Sequence, residues 1–149
     1  MAVGNGMGIG IPMVNLGLGG GGGGGGFLLD DYPNTTGHSY SLRQLSASTT
    51  NVVRVRRGSD NTEQDFTAAE ITDGTLVSFV GATSGYVTKW YDQSNSAHVI
   101  NFTALQQPRI VSAAGLILKN GKPSVEFNFA NNNSLNVLLT APFTSQYYL

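Results

Sequence analysis

The chain carries nine carboxylates, Asp30, Asp31, Asp60, Glu63, Asp65, Glu70, Asp73, Asp92 and Glu126, and paired-carboxylate chemistry is the first activity they suggest. Glycoside hydrolysis needs two carboxyl groups about 5 Å apart when configuration is retained, and about 6.5–9.5 Å apart when it is inverted. Most of the nine fall in turn-like sequence. Asp60 and Asp92 each follow a predicted strand, so they are the pair that could converge at one end of a sheet. The more ordinary role is that of a turn aspartate, bonded to nearby backbone or paired with Arg56 or Arg57. On that ground no residue is assigned a catalytic role.

Other chemistries are weaker still. His38 and His98 are two residues far apart in sequence, which makes no metal site without carboxylate help. Arg54, Arg56 and Arg57 could read phosphate, but beside acidic residues and at a net charge of −1 they read as a solvated, ion-paired face. Trp90 and Tyr91 are neighbours on a predicted strand, so one ring points inward and the other outward. Trp90 is expected in the core, leaving Tyr91 as the residue to stack on a glycan. Asn34-Thr35-Thr36, Asn101-Phe102-Thr103 and Asn132-Asn133-Ser134 match the glycosylation triplet, which matters only in a eukaryotic secretory setting. No cofactor is expected.

These residues sit on short β segments. Asn51 to Arg57 alternates valine with arginine and reads as a half-buried strand ended by Gly58-Ser59-Asp60-Asn61. Tyr86 to Tyr91 is β-rich and runs into the loop Asp92 to Ser96. Shorter strands are predicted around Val99 to Phe102, Arg109 to Val111 and Ser134 to Leu139. Asn120-Gly121, between Leu116 to Lys119 and Pro123 to Phe129, is the strongest hairpin signal in the chain. Helix is expected over a turn or two between Thr67 and Val80, capped by Asp73 or Thr75, with Leu76, Phe79 and Val80 on one face and Gly81 at the end. A second short helix is predicted from Ser39 to Leu45, capped by Ser39. Asp30 to Asn34 reads as a turn.

A leader precedes this body. Thirteen of the 20 glycines lie in residues 1–26, eight of them consecutive from Gly19 to Gly26, and the first charged side chain is Asp30. Gly8-Ile9-Gly10-Ile11 and Leu16-Gly17-Leu18-Gly19 put large aliphatics on one face of an extended chain and bare backbone on the other. Such a segment has no second apolar face to bury against. It is expected to anchor to another protein through Ile9, Ile11, Val14, Leu16 and Leu18, as an added strand or in a groove where glycine lets backbones approach closely. Residues 1–29 therefore form an extended anchor, and residues 30–149 a separate β-rich module.

Composition removes several classes. A net charge of −1 leaves no electrostatic footprint for nucleic acid or an anionic membrane. With no cysteine there is no disulfide scaffold, thiolate metal site or cysteine nucleophile. Glycine interrupts every apolar run short of a membrane span, and the leader lacks the basic start of a secretory signal, so it is expected to remain on the protein. The segment Phe143 to Leu149 looks like a strand without a partner. The β-sandwich is thus expected to be incomplete, continued beyond residue 149 or finished by other subunits, which favours a homo-oligomer.

The strings Tyr40-Ser41-Leu42-Arg43-Gln44-Leu45, Val53-Arg54-Val55-Arg56-Arg57-Gly58-Ser59-Asp60-Asn61, Val87-Thr88-Lys89-Trp90-Tyr91-Asp92-Gln93-Ser94, Gln107-Pro108-Arg109-Ile110-Val111 and Asn120-Gly121-Lys122-Pro123 resemble a module of phage and bacterial surface proteins. In order and spacing that module is similar to the opening part of the α-L-arabinofuranosidase B catalytic domain, a concanavalin-like (laminin-G-like) jelly roll. The resemblance spans about residues 38 to 130. It implies a mainly β, incomplete jelly-roll or β-sandwich with one or two short helices. It implies no catalytic residue, because the family's catalytic carboxylates lie in a cysteine-containing region without counterpart here. It further implies a head or tail fibre or appendage of a virion, held by capsid, portal or tail through the leader and leading to a region that binds the host surface, including its glycans.

Overall fold

A computed structural model of the chain describes residues 26–33 and 37–137. The anchor residues Ile9, Ile11, Val14, Leu16 and Leu18, the triplet at residues 34–36 and the segment 138–149 lie outside the described residues.

The described body is mainly β. Valines at alternate positions set the first strand, β1 (Val53–Arg57), with Val53 and Val55 fully buried and Arg54 between them on the opposite face. It pairs antiparallel with β2 (Glu63–Phe66) on one side and β3 (Gly85–Trp90) on the other. The far edge of β3 is shared by β4 (Val99–Ile100), opposite Lys89 and Trp90, and β5 (Arg109–Ser112), opposite Gly85 and Tyr86. β5 continues to β6 (Gly115–Leu116), and β9 (Asn136–Val137) closes on β4. One strand edge serving two partners, with shifts in register inside both β1/β3 and β3/β5, makes this seven-stranded antiparallel sheet curl. It is an incomplete β-sandwich.

One face of the sheet is closed. Between β2 and β3 run α2 (Ala68–Thr72) and α3 (Thr75–Val80), which lay Ile71, Leu76 and Val80 over Val53, Val55, Val87, Ile110 and Val111. Each of these side chains is at most 1% exposed, and burial of each contributes about 1.5–3 kcal/mol. Phe66 joins them, with Phe79 packed against it at 5.3 Å between ring centroids. Glycine is required at Gly85, where a Cβ would lie 2.7 Å from Val80 Cγ2. The other face of the sheet is polar and open, and it carries the candidate site.

The N-cap of α3 is neither Asp73 nor Thr75 but Gly74, in the left-handed region (φ 96°) with no side-chain cap; Asp73 accepts from the Thr75 amide beside it, and Gly81 ends the helix. α2 opens with a capping box, in which Thr67 and Glu70 bond each other's backbone amides. Asn120 (φ 52°) and Gly121 (φ 71°) turn the hairpin between β7 (Leu118–Lys119) and β8 (Lys122–Pro123), the left-handed pair that a two-residue hairpin demands. Beyond Pro123 the predicted strand shrinks to an isolated bridge between Arg109 and Glu126, and the strand predicted over 134–139 contributes only β9 to the described residues.

Two local expectations are overturned. Leu28–Asp31, α1, is a single helical turn rather than the start of an Asp30 turn, because Asp30 reaches 16 and 17 residues along the chain to accept from Ser46 Oγ and the Ala47 amide. Ser39 to Leu45 is not helical. Tyr40 forms a bridge with Asp92, and the buried Gln93 side chain accepts from the Leu45 amide while donating to the Ser41 and Arg43 carbonyls. Groups that a helix would have paired internally are satisfied by one amide side chain.

Candidate functional site

The polar face of the sheet floors a groove of about 990 Å³, at the upper end of the range for small-molecule sites, about 300–1,000 Å³. Arg54 and Arg56 come from β1, Glu63 from β2, Thr88 and Lys89 from β3, and Ile100 from β4. Its walls are the 95–98 and 101–107 loops, with Phe102 83% exposed at the rim.

The floor is fixed by amide side chains. Gln107 accepts from Arg56 Nε at 2.7 Å and donates to the Asn101 carbonyl at 2.8 Å. Asn101 in turn donates to the Ser134 carbonyl and accepts from the Thr103 amide. Arg56, only 9% exposed, also donates to Asn61 Oδ1 at 2.7 Å and lies 4.7 Å over the Tyr86 ring. Its acceptors are all neutral: Gln107, Asn61 and the Ala104 carbonyl. Glu63 stands opposite Arg56 in the β1/β2 register but accepts from the Thr88 hydroxyl instead.

Arg54 is held differently. Its Nε and Nη2 donate to the two oxygens of Asp65 at 2.7 and 2.8 Å, the bidentate form of the pair. The Arg54 guanidinium is the main cause holding Asp65 below the usual carboxylate range, and the Tyr91 hydroxyl assists. Tyr91 donates to Asp65 at 2.8 Å. Burial first, and then Asp65, push its hydroxyl up to about 12. The Tyr91 ring takes Lys89 Nζ at 5.0 Å and the edge of His98 at 4.8 Å, and it faces a small polar recess beside the 92–96 loop instead of the groove. Within the groove the exposed aromatic ring is Phe102. Trp90 packs partly buried against the core.

Asp92 organises one wall. Burial alone would raise its carboxyl, but the Ser39 amide, the Ser94 amide and hydroxyl, and His38 outweigh burial and bring it to about 2. The Asp92 amide donates to His98 Nδ1 at 3.1 Å, which leaves the ring's proton on Nε2 in the neutral form. Burial, followed by Lys89, lowers the His98 pKa. The fold thus brings both histidines to one aspartate. Ser94 donates to the carboxylate rather than to an imidazole, so no imidazole activates its hydroxyl as a Ser-His-Asp relay would.

Asp60 and Asp92 do not converge. β1 and β3 are antiparallel, with Arg57 opposite Gly85 and Val53 opposite Trp90, so residues that follow the two strands leave from opposite ends of the sheet. Asp60 instead makes a fork with Arg57 that holds its carboxyl below the ordinary range. Every described carboxyl with a displaced pKa is displaced downward: Asp30, Asp60, Asp65, Asp73 and Asp92. A general acid needs the opposite displacement. Glu126 pairs with Arg109.

Among the described residues no group of three or more histidines and carboxylates is placed to hold a metal ion, and no helix is long and apolar enough to cross a membrane. Sequence reasoning missed the roles of Gln107 and Asn101: Asn101 stands out in the sequence as part of a glycosylation triplet, whereas in the fold it is buried with its amide bonded to Ser134. The Thr67-x-x-Glu70 capping box was readable in the sequence.

Comparison with protein-family models, curated proteins and solved structures finds no match to the chain.

Proposed function

We propose that the chain is a non-catalytic structural protein of a phage particle, a head or tail fibre or appendage. Residues 1–29 anchor it to capsid, portal or tail, and the β module links that anchor to a host-surface-binding region, its own groove open to host glycans. The carrying observation is the division of the sheet into two faces. One is covered by α2 and α3, while the other is an open polar groove whose single lining carboxylate, among the described residues, is Glu63. One carboxylate without a partner suits binding better than hydrolysis. The family resemblance and the alternating aliphatics of the leader support placement in a particle. The test is a particle assembled with a chain lacking residues 1–26. The truncated chain should be missing from purified particles, and incorporation at the normal level refutes the anchor.

A second reading, a carbohydrate-binding module acting on its own, is favoured by the combination of Phe102 at the rim with amide and guanidinium groups on the floor. A glycan array probed with the full chain tests it, and a folded protein that binds no glycan refutes it.

A further inference from the structure

Charge in the groove does not follow the charge of the chain. The chain as a whole is at −1, yet Arg54, Arg56 and Lys89 line the groove with Glu63 as the one carboxylate among its described lining residues; Asp65, beside the groove, pairs with Arg54, and burial lowers the His98 pKa. Among the described residues, no carboxylate lies within 4.0 Å of the Arg56 guanidinium or of Lys89 Nζ. Arg56 is a buried cation surrounded by neutral acceptors, a costly arrangement unless an anion comes near. Arg54 spends Nε and Nη2 on Asp65, and its Nη1 makes no hydrogen bond among the described residues. Lys89 rests over the Tyr91 ring and makes no side-chain hydrogen bond among the described residues. Beside these cations lies an apolar strip, Ile100, Phe102 and Val137. A ligand that fits has a negative group on one side and a hydrocarbon face on the other. A sugar ring bearing an acidic substituent has both.

We infer that the groove binds an acidic saccharide, with Lys89 and Arg54 receiving the anionic group over the field of Arg56, and Phe102 stacking on the ring. This rests on the host-attachment reading above and specifies its ligand class. The anion is a carboxylate or a phosphate, and both are offered in the test.

The full chain is titrated by calorimetry with oligogalacturonate, with a mannose-phosphate oligosaccharide and with neutral maltoheptaose. One of the two anionic probes binds, and the neutral one does not. Affinity falls about tenfold or more between 50 and 500 mM NaCl, as expected for a partly exposed charged contact. Lys89→Glu, checked for an unchanged urea midpoint, loses about tenfold or more, while Lys89→Arg keeps the affinity within about threefold. Phe102→Ala weakens binding without changing the salt dependence. Equal binding of maltoheptaose, wild-type affinity in Lys89→Glu, or binding of neither anionic probe overturns the inference. Binding of the chain to host cells that no acidic probe competes overturns the charge assignment alone. Failure to bind any host surface overturns the attachment reading.

Discussion

Asp92 ties the 38–40 segment to the loop after β3, and replacing it tests whether its ionised form matters to the fold. Its side chain is fully buried and accepts from the Ser39 amide at 3.0 Å and from the Ser94 amide and hydroxyl at 2.9 and 2.7 Å, with His38 Nδ1 3.0 Å away. These contacts bring the carboxyl from an ordinary 3.8 to about 2. At about 1.4 kcal/mol for each pH unit, ionisation in the folded state is worth about 2–3 kcal/mol. Because the folded pKa is the lower one, that stabilisation is complete above the unfolded value of 3.8 and is lost as the pH falls towards about 2. Asp92→Asn keeps the shape and removes the charge. At pH 7 its urea midpoint should fall by about 1–3 M, for an m-value of about 1–2 kcal/mol/M. The gap to wild type should then narrow steadily between about pH 4 and pH 2. Trp90 fluorescence follows the unfolding. Asp30, Asp60, Asp65 and Asp73 weaken both proteins in acid, and taking the difference cancels them. Equal midpoints at pH 7, or a gap unchanged from pH 5 to pH 2.5, would refute the reasoning.

Three further changes probe the same framework. Gln93→Leu strands the Leu45 amide and the Ser41 and Arg43 carbonyls, costing about 2–4 kcal/mol by urea unfolding, and the Leu45 amide should lose protection from hydrogen exchange. Gly85→Ala sets a Cβ 2.7 Å from Val80 Cγ2 and 3.1 Å from Val55 Cγ1, so overpacking should cost about 1–3 kcal/mol, part of it recovered when Val80→Ala is added. Asp65→Asn removes the anion from Tyr91 while leaving its burial. Its hydroxyl titration, read by alkaline absorbance against a Tyr91→Phe control, should move from about 12 part of the way back to 10.

Elements governed by local periodicity were legible in the sequence. The Val53/Val55 alternation, the Asn120-Gly121 turn and the Leu76/Val80 face depend on neighbours within a few residues, and each holds in the fold. The failures occurred where a distant side chain outbid local preference. Ser39 to Leu45 has the spacing of a helix, but Gln93, some 50 residues away, supplies its hydrogen bonds. Asp30 looks like a turn residue and acts on Ala47. The groove was less visible, because its floor depends on pairing order. Arg56 meets Gln107, 51 residues distant, only because β3 separates β1 from the chain that returns through β4 and β5. Antiparallel pairing of the two strands, had it been assumed, would already have separated Asp60 from Asp92.

That pairing order also explains why a sheet with so few ladder bonds can present a fixed surface. In that sheet β4, β6 and β9 are two residues long, too short to define a groove by backbone pairing alone. Side-chain amides do the work in their place. Gln93 holds the 41–45 segment, Asn101 joins the 101–107 loop to Ser134, Gln107 joins that loop to Arg56, and Asn133 donates to the Gln107 carbonyl. A buried amide offers acceptor and donor together, so each can bridge two loops without adding charge. Asp30, Asp60, Asp65, Asp73 and Asp92 are meanwhile tied to arginines, hydroxyls or backbone amides that lower their pKa, the wrong direction for a general acid. Neutral bridges beneath Arg56 leave Glu63 as the one carboxylate among the described residues lining the groove beside it, and the same arrangement that steadies the loops therefore favours an anionic ligand.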